Sequence, residues 1–107
     1  MSSLRTDGKA VEVTLTEVTA KDELVNLDGF FGITMQAGSS GDTVAIEIAQ
    51  RVHEITVPEG VTADKGDILY VDSDGTITND DTDTQFGKVV QAKDSNDYVW
   101  VLLLPQA

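Results

Sequence analysis

Apolar and polar positions alternate along most of this chain, and glycine, aspartate, serine, threonine and asparagine interrupt the alternation at short intervals. Side chains of a strand point to opposite faces in turn, so the pattern predicts short strands joined by turns. Val11, Val13 and Leu15 share one face of a strand over 10–15. Strands over 23–27 and 30–35 flank Asp28 and Gly29, a pair suited to a tight hairpin. After a turn over 38–42, Val44, Ile46 and Ile48 alternate with Ala45, Glu47 and Ala49, and a further strand over 52–57 stops at Pro58. Residues 60–66 read as a connection with room for a single turn. Residues 68–71 and 76–78 pair across the tight turn at 72–75, and after a polar loop over 79–84 a last hairpin joins 86–92 to 97–104 across 93–96. No window carries the i, i+3, i+4, i+7 spacing of an amphipathic helix. Strands at this spacing predict an all-β fold, a single small barrel or sandwich of short antiparallel strands.

One strand departs from alternation. Tyr98, Val99, Trp100, Val101, Leu102, Leu103 and Leu104 are consecutive apolar residues ended by Pro105. Such a strand calls for cover on both faces, from another subunit or from a second layer of the same small barrel. Tyr98, Trp100, Leu102 and Leu104 form one face, and Val99, Val101 and Leu103 the other. Side chains fill a small barrel, so the bulkier set is expected inside. Tyr98, Trp100, Leu102 and Leu104 are therefore the candidates for core or subunit interface.

Residues 1–9 lack this periodicity and read as a flexible N-terminal arm before a domain over 10–107. Within the arm, Arg5 and Lys9 against Asp7 sum to +1, which leaves −13 for the rest of a chain whose net charge is −12. That acidity disfavours nucleic-acid partners, which demand a basic footprint. The apolar runs fall short of the roughly 20 residues that cross a bilayer, and no apolar stretch follows the early basic residues, so neither a membrane span nor a signal peptide is expected. At 11.5 kDa the chain is one domain burying roughly 65% of its unfolded surface.

Catalytic chemistry is thinly represented. There is no cysteine and a single histidine, His53, on a strand face with Ile55 and Val57, so a zinc site is not expected and a satisfied strand histidine is the plain reading. Neither a Gly-x-Ser-x-Gly elbow nor a phosphate-binding loop is present; around 60–66 Lys65 precedes the second glycine instead of following it. Residues 72–83 begin with the i, i+2 aspartates of a calcium loop, Asp72 and Asp74. Glycine then stands fourth instead of sixth and position twelve lacks a glutamate, so turn chemistry explains the segment equally well. No catalytic residue, cofactor or metal is assigned.

The order of elements nonetheless resembles a family of small tailed-phage proteins regarded as capsid decoration, or cement, proteins. The features that carry the resemblance are the strand over 10–15, Gly-Phe-Phe-Gly-Ile-Thr at 29–34, and Gly-Asp-Thr-Val-Ala-Ile-Glu-Ile at 41–48. They continue with Val-x-x-Ile-x-Val-Pro at 52–58, Lys-Gly-Asp-Ile-Leu-Tyr-Val-Asp at 65–72, Gly-Thr-Ile-Thr at 75–78, Phe-Gly-Lys-Val-Val-Gln-Ala at 86–92 and the terminal strand. Members have often carried a recombinase-like label, which the missing phosphate loop does not support. The resemblance implies a homotrimer on the outer capsid surface of the virion, at local threefold positions, clamping subunits of the major capsid protein. Within it, Ser2, Ser3, Leu4, Arg5, Thr6 and Lys9 of the arm are the capsid-contact candidates. The competing reading is a small β-barrel module for carbohydrate or cell-surface binding, which would expose aromatic side chains such as Tyr70, Tyr98 and Trp100.

Overall fold

Turns with left-handed backbone divide the chain into its strands. At the tightest of them Asp28 and Gly29 have φ of 55° and 84°, the paired positive angles of a type I′ hairpin. The computed structural model describes residues 8–106. Among them run β1 (Ala10–Thr14), β2 (Leu24–Leu27), β3 (Phe30–Thr34), β4 (Thr43–Glu47), β5 (Val52–Thr56), β6 (Ile68–Val71), β7 (Ile77–Thr78), β8 (Thr84–Gln91) and β9 (Tyr98–Leu103). The described residues contain no helix, and every strand pairing is antiparallel. The fold is all-β.

The strands form two sheets, one of four in the order β1-β4-β3-β2 and one of five in the order β5-β9-β8-β6-β7. Their register sorts the apolar residues into two cores. In the four-stranded sheet Val13 lies opposite Val44, Val25 opposite Gly32 and Thr34 opposite Ile46, so these share one face. With Leu15 they close a small core of their own. Phe31 and Ile33 occupy the opposite face and join the larger core with Leu69, Phe86, Val99, Val101 and Leu103 of the five-stranded sheet. The sheet curls around the small core until its edges nearly meet, the Thr14 amide donating to Oδ2 of Asp28 in the β2–β3 turn at 2.9 Å. A glycine is required at the crossing of β3 and β4. A Cβ on Gly32 would stand 2.5 Å from the Glu47 carbonyl oxygen.

The C-terminal tail then ties the sheets together. Gln106 accepts the Phe31 amide at 3.0 Å and donates to the Phe31 carbonyl at 2.8 Å, so one side-chain amide bonds β3 as a neighbouring strand would.

The terminal strand reverses the sequence expectation. Val99, Val101 and Leu103 are fully buried, while Tyr98 and Trp100 face outward and are 43% and 42% exposed; Leu102 and Leu104 are half-buried. Neighbours decide this, not bulk. Trp100 is registered with Glu54 and Gln91, and Leu102 with Lys88, whereas Val99 meets Ile55 and Val101 meets Val89. Burying the bulkier face would have buried a carboxylate and an ammonium with it, at a cost of several kcal/mol per ion.

Candidate functional site

The outer face of the five-stranded sheet gathers the largest exposed apolar side chains of its strands. Register brings Val52 of β5 beside Leu102, and Thr56 beside Tyr98. On β8 the register shifts between Val89 and Gln91, and this bulge leaves Val89 buried and Val90 outward. Val52, Val90, Tyr98 and Trp100 thus stand exposed around a half-buried Leu102. The strands contribute two charges here, Glu54 and Lys88, of opposite sign. The Trp100 indole donates to Glu54 Oε2 at 2.9 Å, which gives its one polar atom a partner without burying the ring. On a chain of net charge −12 this is a nearly neutral apolar face. Contiguous apolar patches of this kind mark interaction surfaces. Neutrality adds a second advantage, since a partner approaching here meets little of the repulsion that the rest of the body exerts.

Three aspartates of the acidic loop over 72–83 use their carboxylates locally. Asp72 Oδ1 accepts the amides of Asp74 and Thr76, both at 2.9 Å. Asp80 Oδ1 accepts the Thr82 hydroxyl at 2.7 Å and the Thr82 amide at 2.9 Å, and Asp83 takes the Thr78 hydroxyl. The two Thr82 bonds, the hydroxyl first, hold the Asp80 carboxyl below its ordinary 3.8. These oxygens shape turns. Among the described residues no group of three His, Asp or Glu side chains is placed to share a metal ion.

His53 sits half-buried on β5 with Nε2 2.9 Å from Glu47 Oε1, without the alignment of a hydrogen bond, and Arg51 Nε lies 4.0 Å from the same oxygen. A cavity of about 260 Å³ adjoins this group. The one hydroxyl in its wall, on Thr34, donates to the Ala20 carbonyl and accepts the Glu23 amide. That oxygen is committed to joining the 20–23 segment to β3.

Of the residues singled out in the sequence, Ser2, Ser3, Leu4, Arg5 and Thr6 lie outside the described residues. Lys9 is described, and its carbonyl accepts the Ile48 amide at 2.9 Å, extending the β1–β4 ladder by a step. Tyr98 and Trp100 belong to the outer face with Leu102, while Leu104 follows β9 and donates its amide to Phe86. Sequence reasoning missed Val52 and Val90 as their companions, and Glu54 as the indole's partner. The available signal was the even spacing of Val52, Glu54 and Thr56, which marks the outward side of β5 once Ile55 is taken as core.

Comparison with curated proteins and with solved structures finds no match. A family model does match, over residues 6–104, and it describes phage cement proteins. The matched span holds all nine strands, both cores and the outer apolar face. This chain belongs to the phage cement protein family.

Proposed function

We propose that this protein binds the outer surface of an expanded tailed-phage capsid as a homotrimer at threefold positions, contacts the major capsid protein there, and holds neighbouring coat subunits together. Family membership carries association with a phage capsid and a stabilising role there. The observation that supports the finer reading is the outer face of the five-stranded sheet, where Val52, Tyr98 and Trp100 stand in solvent on an otherwise acidic protein. An apolar, nearly neutral face of this kind suits contact between copies around the threefold axis. Three copies so joined engage three equivalent coat sites, and the second and third contacts form at high effective concentration. A ligand that binds only the assembled, expanded shell stabilises that state by mass action. No chemical step is required.

The arm is the second contact in this reading. Ser2, Ser3, Leu4, Arg5 and Thr6 reach a coat subunit and add backbone pairing to an exposed strand edge, while Lys9, whose carbonyl stays bonded to the Ile48 amide, contributes its side chain to the contact. The arm's charge sum of +1 opposes the −13 of the body, so its contribution is salt-sensitive.

Mixing the protein with bare, expanded capsids tests the proposal. Co-sedimentation at a fixed stoichiometry, with a mass near three chains by light scattering, is expected. A monomer in solution that occupies single-copy, asymmetric positions on the shell would sink the trimer. The same exposed aromatics also favour a second reading, a carbohydrate or cell-surface binding module. Quenching of Trp100 fluorescence by added sugar, with no co-sedimentation on capsids, would select it.

A further inference from the structure

A furrow runs along β2, the last strand of the four-stranded sheet. Both backbone groups of Phe31 are held by Gln106, so its partner Asn26 forms a non-hydrogen-bonded pair and turns its own N–H and C=O away from β3. Leu24, two residues earlier, does the same. Across the furrow stands β5, the last strand of the other sheet. Leu103 donates to Arg51 and Val57 to Asp97, so the odd-numbered residues of this strand bond β9. The backbone groups of Glu54 and Thr56 consequently point off the sheet. Two edges therefore border one groove, and on β2 the open position is Leu24, because Gly75 packs against the Asn26 amide, a Cβ there standing 3.8 Å from it. Its larger part, about 310 Å³, lies between Leu24 and Thr56 with Ile55 and Ile77 in its walls, and a second part of about 200 Å³ continues along β2. At the Asn26 end a bond from Nδ2 to the Asp72 carbonyl, 3.0 Å, ties β2 to the β6–β7 turn.

The charge around the furrow has one sign. Glu17, Asp22, Glu23 and Asp74 line it, and among its lining residues there is no lysine or arginine. We propose that this furrow receives a positively charged, extended segment of the coat protein as an added strand along β2. The assignment rests on the capsid-binding reading above. Edge pairing supplies affinity, the apolar walls take alternate side chains, and the carboxylates select the sign of the charge. A second copy of this chain fits poorly, because each copy carries −12. The segment over 1–9 brings a sum of only +1 to four carboxylates. The same carboxylates keep like-charged copies off an edge that would otherwise invite pairing between them.

Two measurements on the full chain test this. In the first, isotope-labelled protein is titrated with a capped heptapeptide of alternating valine and arginine, with its valine–glutamate counterpart, and with a peptide of residues 1–9. The amides of Leu24, Asn26 and Thr56 should shift with the arginine peptide, weakly or not at all with the other two, and not in the Glu23→Lys/Asp74→Lys variant, whose substituted side chains are exposed. In the second, that variant should retain the wild-type fold and oligomeric state yet bind expanded capsids at least about tenfold more weakly. No shift with the arginine peptide, an equal shift with the glutamate peptide, or an equal shift with residues 1–9 overturns the proposal. So does a variant that decorates capsids as tightly as wild type. If wild type itself fails to co-sediment, the capsid-binding reading has failed, a result separable from wild type and variant binding alike.

Discussion

The two faces of β9 are both built of apolar or aromatic side chains and meet opposite fates. Val99, Val101 and Leu103 are sealed between the sheets, while Tyr98 and Trp100, with far more apolar surface, stand in water. Burial follows the company a residue keeps across the ladder. The inner side chains face Ile55 and Val89, whereas the outer ones share their side of the sheet with Glu54 and Lys88. An inner face made of compact, branched residues specifies the fold. An outer face made of aromatics, with one carboxylate and one ammonium on flanking strands, has no such role, and its exposure points to contact with another molecule.

The contrast is broken most directly from inside. Leu103→Ala should destabilise the protein by about 2–5 kcal/mol, because it opens a cavity where both sheets meet. Denaturant unfolding measures this. A loss below about 1 kcal/mol would mean that the inner face collapses onto the gap and is less tightly packed than the structure shows.

Next in size is the tie between the sheets. Gln106→Ala removes two hydrogen bonds to Phe31 and leaves a strand amide and carbonyl without their partner. The expected loss is about 1–3 kcal/mol, with faster hydrogen exchange at Phe31. Unchanged exchange at Phe31 would show that water replaces the glutamine without cost.

Trp100→Ala sharpens the comparison from outside. With the indole 42% exposed, the expected loss of stability is within about 1 kcal/mol, well below that of Leu103→Ala. Capsid binding and the oligomeric state should suffer instead. A melting temperature that falls as far as that of the Leu103 variant would place the indole in the core after all.

Most of the strand plan was legible in the sequence, because alternation and turn residues are local signals. Asp28 with Gly29, Asp72 to Gly75 and the 93–96 segment each close a hairpin where the turn chemistry places one. The division into two sheets was not legible. It depends on β1 pairing with β4, and β5 with β9, contacts far apart in sequence that no periodicity encodes. The inversion of β9 has the same origin. The bulk of Trp100 is visible in the chain, but Glu54 opposite it is visible only in the register. Gln106 acting as a strand neighbour of Phe31, 75 residues away, had no local signal at all. The furrow along β2 follows from strand order and was equally hidden.

The smallest effect concerns the contrast between the neutral outer face and the acidic loop over 72–83. Asp72, Asp80 and Asp83 of that loop are used by its own turns, and Asp80 gives the cleanest readout. Its carboxyl is held below 3.8 by the Thr82 hydroxyl and then the Thr82 amide. A depressed pKa in the folded chain means that the ionised form is favoured there. The associated stabilisation is present above the ordinary carboxylate value and is lost as pH falls through the lower folded value. Asp80 is fully exposed, so the consequence belongs to the titration itself and not to the melting temperature. Following its carboxyl carbon by NMR should give a midpoint below 3.8 in the wild type and a higher one in Thr82→Val, which keeps the amide bond and loses the hydroxyl. Millimolar calcium should leave the wild-type curve in place, since Asp80 Oδ1 is already engaged by Thr82. A curve displaced by calcium would turn the loop from a set of self-satisfied turns into a cation site, and the acidic and neutral regions would then both be binding surfaces.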